Sequence, residues 1–102
     1  MPLFAIIAKD KPGHLEMRLA TRDRHVAHLN SLGERLKVAG PRLGEDEKPD
    51  GSLVIIEVNS IDDARAFADA DPYAQEGLFE TVVVTRWNAL LGEWSAAPDE
   101  EE

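Results

Sequence analysis

A histidine and an aspartate in this sequence occupy positions where apolar residues are expected, and together they could transfer protons. His25 shares one stripe of the longest predicted helix with three leucines, Leu29, Leu32 and Leu36. Asp71 continues the apolar stripe of the second predicted helix in the same way. An imidazole oriented by a carboxylate in a partly dry pocket can act as a general acid or base. The spacing therefore predicts His25 and Asp71 as a catalytic pair.

Two arginines accompany His25 on the preceding turns of the same predicted helix. Arg18 and Arg22 lie near its face and could hold an anionic group of a substrate. A structural interpretation stands beside this one. A histidine on an apolar face is often a hydrogen-bonded core residue, and an aspartate before proline is often a turn former. His28 lies off the stripe and is predicted to face solvent.

The strands and helices that must position these residues are predicted from apolar runs and from the turn and cap residues between them. Strands are predicted at residues 3–8, 53–58 and 79–87, with a weak edge strand at 41–44 and a hairpin turn at 48–51. The first helix is predicted over residues 21–39, with Thr21 as N-cap, Gly40 after its end and Pro41 as its stop. The second helix is predicted from a cap at Ser60 to about Ala70.

This order, β-α-β-β-α-β, predicts an α+β fold of the ferredoxin-like type. Its antiparallel sheet has the strand order 4-1-3-2, with both helices on one face. The start of the first helix and the end of the second share one end of that sheet, so His25 and Asp71 should meet. The runs at 3–8 and 53–56 do not alternate apolar with polar residues, so both sides of those strands need burial. A homodimer packed sheet against sheet would supply the second layer.

The composition of the chain limits the kinds of function and partner that can be expected. The chain has 102 residues, no cysteine and a formal net charge of −9, part of which lies in its last four residues. We expect one domain at residues 1–94 and an acidic disordered tail at 95–102. The acidic surface argues against nucleic acid and anionic membranes as partners. The absence of cysteine is compatible with a cytoplasmic protein, and the first apolar run is too short for a signal peptide or a membrane span.

Several short motifs together resemble the YciI-like (YCII-related) family. They are Arg18-Leu19-Ala20-Thr21-Arg22, Arg22-x-x-His25, Ala39-Gly40-Pro41, Gly51-Ser52 and Asp71-Pro72-Tyr73. The resemblance covers about residues 1–94 and implies a dimeric α/β barrel with a pocket in each protomer.

The family's His-Asp dyad carries over to His25 and Asp71. Its Gly-Ser position carries over to Ser52, Gly40 and Pro41 would form a backbone wall, and Tyr73 joins the expected substrate-binding residues. The best-defined branch implies lyase or dehydrochlorinase chemistry on a hydroxyquinone ring.

The sequence predicts a dyad enzyme that acts on a small cyclic or aromatic anion, and four other interpretations are possible. A metal held by His25 and His28 lacks further ligands, and no phosphate-binding glycine loop is present, so no metal or cofactor is expected. A Ser-His-Asp hydrolase could be composed from Ser52, His25 and Asp71, but Ser52 follows a predicted hairpin turn and no oxyanion hole can be named. The serious alternative is a non-catalytic dimeric protein that binds a small ligand or serves as an accessory.

Overall fold

Four antiparallel strands form one sheet within residues 1–95, the part of the chain that the computed structural model describes. The strands are β1 (Leu3–Asp10), β2 (Leu36–Leu43), β3 (Pro49–Glu57) and β4 (Phe79–Trp87), in the spatial order β2-β3-β1-β4. The helices are α1 (Leu15–Asn30), α2 (Ile61–Asp69) and the short α3 (Pro72–Gln75). The predicted α+β, ferredoxin-like fold and its strand order are confirmed. The predicted acidic tail lies, after Ser95, outside the described residues.

The core lies between the helices and one face of the sheet. Alternate residues of β1 and β3 point to that face, and α1 and α2 cover them. The fully or nearly fully buried members of this cluster are Phe4, Ile6, Leu29, Val54, Ile56, Val58, Ala64 and Ala68. The second helix begins as predicted, since the Ser60 hydroxyl accepts the Asp63 N–H at 3.1 Å. β4 has the bounds predicted for it.

The first helix differs from its predicted bounds. It begins at Leu15 and ends at Asn30, so Thr21 is buried inside it and is not its N-cap. Gly33 lies in the left-handed region with φ of 59° and begins a single 3-10 turn, Gly33–Arg35, which is followed directly by β2. Gly40 and Pro41 therefore belong to a strand, opposite Leu53 and Ser52 of β3, and neither caps nor stops a helix.

The hairpin between β2 and β3 also lies elsewhere than predicted. It turns between Gly44 and Lys48, where the Gly44 N–H donates to the Lys48 carbonyl at 2.9 Å and Glu47 has φ of 66°. Gly51 is inside β3. A Cβ on Gly51 would lie 2.3 Å from the Ala8 carbonyl oxygen, so the glycine permits a close approach of two strands and does not form a turn.

Within residues 1–95, no helix covers the other face of the sheet, and the centre of that face is apolar. Ile7 pairs with Leu53 on one side and with Val83 on the other, and all three side chains are exposed. Val38 and Trp87 extend the same exposed face towards its edges. We call these five residues the open face. Within the described residues, no helix is long and apolar enough to cross a membrane.

Candidate active site

His25 and Asp71 are both buried and are hydrogen-bonded to each other. His25 Nδ1 lies 2.9 Å from Oδ1 and 2.8 Å from Oδ2 of Asp71. Asp71 Oδ1 also accepts the Tyr73 N–H at 2.9 Å, because Asp71 is the N-cap of α3. An ionised carboxylate only accepts hydrogen bonds, so Nδ1 carries a proton, and Nε2 is an acceptor in the neutral form of the imidazole. The predicted meeting of the two residues is present, and their catalytic role stays a prediction.

The second imidazole nitrogen of His25 faces the pocket described below. Nε2 has no hydrogen-bond partner within the described residues. Every fully enclosed polar side-chain atom of those residues does have a partner, so Nε2 is not fully enclosed. His25 lines the pocket between α1 and β2. Nε2 is therefore the ring nitrogen that a ligand in that space could reach.

Tyr73 lies beneath His25 and Arg18. Its ring stacks on the imidazole with centroids 3.9 Å apart and planes inclined by 16°, and the Arg18 guanidinium lies 4.5 Å from the ring centroid. Arg18 and His25 are two helical turns apart on one face of α1, which leaves room for the ring between them. Burial raises the pKa of Tyr73, and the nearby Arg18 cation opposes that rise. Tyr73 therefore keeps its proton at neutral pH.

Arg18 is buried in the protein and not free in the pocket. Its Nε donates to Asp10 Oδ2 at 2.6 Å and its Nη2 donates to Asp10 Oδ1 at 3.0 Å. The same Nη2 donates to Ser52 Oγ at 2.8 Å. Ser52 makes no hydrogen bond to His25 within residues 1–95, so the two do not form a hydrolase triad. Asp10 was missed by sequence reasoning, which ended the first strand at Ala8.

The pocket brings the predicted binding residues together. It has a volume of about 240 Å³ and lies between α1 and β2. The predicted residues that line it are Arg18, Arg22, His25, Gly40, Pro41, Ser52 and Tyr73. Asp71 lies behind His25, and apolar side chains of α1 complete one wall. Arg22 is exposed and forms no ion pair with any described residue, so its charge is available to a ligand.

The prediction for His28 was wrong. Its ring is partly buried, stacks on Phe67 with centroids 4.1 Å apart, and brings Nε2 to 2.8 Å from the Phe67 carbonyl oxygen. The reason is that α2 packs beside this turn of α1 and supplies both an aromatic face and an acceptor. His28 thus links two helices, whereas His25 faces the pocket.

The sequence matches a family model and is similar to several known proteins. The YCII-related domain matches residues 2–88 of the chain. Protein YciI of Escherichia coli is 42% identical in an alignment of 90 residues, and the match covers 80% of this chain and 92% of that protein. An uncharacterized protein of Haemophilus influenzae is 38% identical in an alignment of 89 residues, and that match covers 79% of this chain and 91% of the relative.

The fold of the chain is also similar to that of several solved structures. The 5-chloro-2-hydroxyhydroquinone dehydrochlorinase of Burkholderia phenoliruptrix, in complex with 2,5-dihydroxybenzoquinone, is 37% identical with a TM-score of 0.79. That match covers 84% of this chain and 93% of the dehydrochlorinase. A NIPSNAP family protein of Agrobacterium tumefaciens, 14% identical with a TM-score of 0.54 over 94% of this chain and 97% of its own, shares the fold alone.

Proposed function

The chain belongs to the YCII-related family, and from that premise we propose that it is an enzyme in which His25 and Asp71 transfer a proton on a small cyclic or aromatic anion. The observation that carries the proposal is the His25–Asp71 pair, whose Nδ1–H is held by the carboxylate while Nε2 is open to the pocket. Asp71 would act as the orienting group and His25 as the acid or base.

The geometry suits a lyase or isomerase step. His25 Nε2 would take a proton from an acidic C–H or O–H group of the ligand. The electron pair left behind would form a new double bond, and a leaving group would depart with its own electron pair. The imidazolium formed in this step would be stabilised by the Asp71 carboxylate at 2.8 Å from Nδ1. In an isomerisation, the same imidazolium would return the proton to a different ligand atom.

The remaining pocket residues suit an anionic ring. Arg22 would attract the negative charge, and the strand backbone at Gly40 and Pro41 would form a flat wall. A pocket of about 240 Å³ has room for a single substituted ring. The ligand named for the dehydrochlorinase relative, 2,5-dihydroxybenzoquinone, is such a ring. That relative supports a hydroxyquinone as the first ligand to test.

The test combines binding and turnover. We expect 2,5-dihydroxybenzoquinone to bind the wild-type chain in a calorimetric titration, and 5-chloro-2-hydroxyhydroquinone to release chloride. His25→Ala should lower the rate of chloride release by at least about 100-fold while the protein stays folded. His14→Gln is the matched control, since His14 lies outside the pocket with Nδ1 2.8 Å from the Pro12 carbonyl oxygen. Binding without turnover of any halogenated hydroxyquinone would favour a non-catalytic ligand-binding protein.

We further propose that the chain forms a homodimer through the open face. Exposed apolar side chains run across the sheet from Val38 through Leu53 and Ile7 to Val83, on the face that no helix covers. Two copies of such a face are complementary when related by a two-fold axis. Packing one on the other would remove both from water and supply the layer that the unbroken apolar runs of β1 and β3 require.

Val83→Lys tests the dimer. Val83 is 52% exposed, so the charge should leave the folded protomer intact while it blocks association of two sheets. Sedimentation should give a dimer for the wild type and a monomer for Val83→Lys. Ala66→Lys, on the exposed side of α2, is the control and should stay dimeric. A wild-type chain that sediments as a monomer at micromolar concentration contradicts the proposal.

A further inference from the structure

We infer that Asp10 and Arg18 are positioning residues that fix the Ser52 hydroxyl as a hydrogen-bond donor to the ligand. The inference rests on the proposed function, since it concerns how a ligand is held in the same pocket. It changes the role expected of Arg18, which was predicted to bind the substrate anion directly. It also adds Asp10, which does not line the pocket between α1 and β2.

The direction of the Ser52 hydrogen bond follows from its partner. A guanidinium only donates, so Ser52 Oγ accepts the Arg18 Nη2–H at 2.8 Å. The Ser52 hydroxyl proton must then be donated elsewhere. Within residues 1–95 it has no acceptor, and Ser52 lines the pocket. The hydroxyl proton is therefore available to an acceptor in the pocket, and in the liganded protein we assign that acceptor to an atom of the ligand.

Asp10 determines where Arg18 points. The Asp10 carboxylate accepts two hydrogen bonds from the guanidinium, one from Nε and one from Nη2. This bidentate contact fixes the plane of the guanidinium. Both side chains are nearly enclosed, with exposed fractions of 5% for Arg18 and 6% for Asp10. Water therefore cannot replace either partner. Because the guanidinium plane is fixed, the hydrogen bond from Arg18 Nη2 to Ser52 Oγ holds that oxygen in one place.

The result is a pocket with two different ends. The Ser52 end donates a hydrogen bond that the nearby Arg18 cation strengthens, so it suits a carbonyl, phenolate or carboxylate oxygen of the ligand. The His25 end accepts a proton at Nε2. A ligand that carries an acceptor oxygen on one side of its ring and an acidic proton on the other would be oriented for proton transfer. The Asp10–Arg18 pair thus contributes to which way round the ligand binds.

A double-mutant cycle with 2,5-dihydroxybenzoquinone separates positioning from mere structural support. Ser52→Ala should lower the affinity by about tenfold, the usual effect of losing one hydrogen bond to a charged partner. Asp10→Asn should lower the affinity of the wild type by a similar factor, but change it less than about twofold in the Ser52→Ala background. Thermal unfolding of all four proteins shows whether each is folded. Equal losses in both backgrounds would mean that Asp10 acts through the fold and not through Ser52, and would overturn the inference.

A measurement without ligand tests the positioning role of Asp10 and Arg18 independently of the proposed function. Three-bond NMR couplings should show one χ1 rotamer for Ser52 in the wild type and averaging over rotamers in Asp10→Asn. If the wild type binds no hydroxyquinone, the proposed ligand class is wrong, and these couplings decide the positioning role alone. The same rotamer distribution in both proteins would refute it. Arg18→Lys, which keeps the charge but loses the fork, should behave like Asp10→Asn in both measurements.

Discussion

Replacing Asp71 by Asn should move the proton of His25 from one ring nitrogen to the other. In the native protein the carboxylate accepts from His25 Nδ1 and from the Tyr73 N–H. An asparagine can keep the second contact through its carbonyl oxygen, because the α3 cap geometry is unchanged. Its amide group then faces Nδ1 and can only donate. Nδ1 lies 2.8 Å from that amide position and 2.9 Å from Oδ1, and the amide hydrogens would oppose a proton kept on Nδ1. We therefore expect Nδ1 to become the acceptor and the proton to move to Nε2.

The expected magnitudes differ for stability and for activity. A charge-assisted hydrogen bond is exchanged for a neutral one, which should lower the free energy of unfolding by about 1–2 kcal/mol. For a domain of this size that is a fall in Tm of several degrees. The rate of proton transfer should fall far more, by at least about 100-fold, because Nε2 now carries a proton and cannot accept one. Removal of the side chain in Asp71→Ala should be more destabilising, since His25 Nδ1–H and the Tyr73 N–H would both lose their acceptor.

Nitrogen-15 NMR of the imidazole measures this directly, at a pH where the ring is neutral. The wild type should show a protonated Nδ1 and an unprotonated Nε2, and Asp71→Asn should show the reverse. Asp69→Asn is the matched control, because Asp69 is exposed at the end of α2 and should leave the ring nitrogens unchanged. The same tautomer in wild type and Asp71→Asn, or a wild-type ring protonated at Nε2, would refute the assignment of His25 as a base.

Three further predictions concern single residues. Tyr73 is the chain's one tyrosine, so an ultraviolet titration of the native protein should give a pKa above the ordinary value of 10.0, and a value at or below that would contradict the burial argument. Because the unfolded chain loses this proton first as the pH rises, the free energy of unfolding should fall above about pH 10, and should fall less in Tyr73→Phe. Ser60→Ala should lower the free energy of unfolding by about 1 kcal/mol in urea denaturation, since the Asp63 N–H loses its cap. Gly51→Ala should be strongly destabilising in the same assay, because the Ala8 carbonyl oxygen must move, and a change within about 0.5 kcal/mol would contradict that packing.

The sequence predicted the fold and the meeting of His25 with Asp71 because both rest on periodic patterns. The alternation of apolar runs with helical stripes predicts β-α-β-β-α-β. The predicted place of His25 at the start of the helix was wrong, since α1 begins at Leu15 and His25 lies in its second half, where Asp71 reaches it from the residues that follow α2. His25 and Asp71 are polar residues on apolar stripes, so the burial of both side chains could be predicted from the sequence. A residue that breaks such a stripe stands out without any knowledge of its neighbours.

The predicted bounds of the elements were wrong where one sequence pattern is compatible with two structures. Leu32 and Leu36 continue the stripe of the first helix, but Gly33 takes a left-handed conformation and the pairing of β2 with β3 wins over helix propensity. Pro49 and Gly51 look like turn residues, yet both lie in β3. Asp10 was missed because charged residues usually end strands. Counting in twos along β1 from Phe4 places it on the buried face, which was the available signal.

Two buried pairs of polar side chains, His25–Asp71 and Arg18–Asp10, are more easily explained by the proposed function than by stability. They flank one aromatic ring, that of Tyr73, in a chain of 102 residues whose core is small. Replacing a buried ion pair with apolar side chains of similar volume is often neutral or stabilising, so stability alone does not require either pair. Under the proposed function, each pair leaves one group for the ligand: an accepting nitrogen on His25 and, through Arg18, a donating hydroxyl on Ser52. Tyr73 separates the two pairs while it contacts a member of each, so it would keep the proposed base and the proposed donor a fixed distance apart. That fixed separation is what an enzyme needs in order to hold one ring between a proton acceptor and a hydrogen-bond donor.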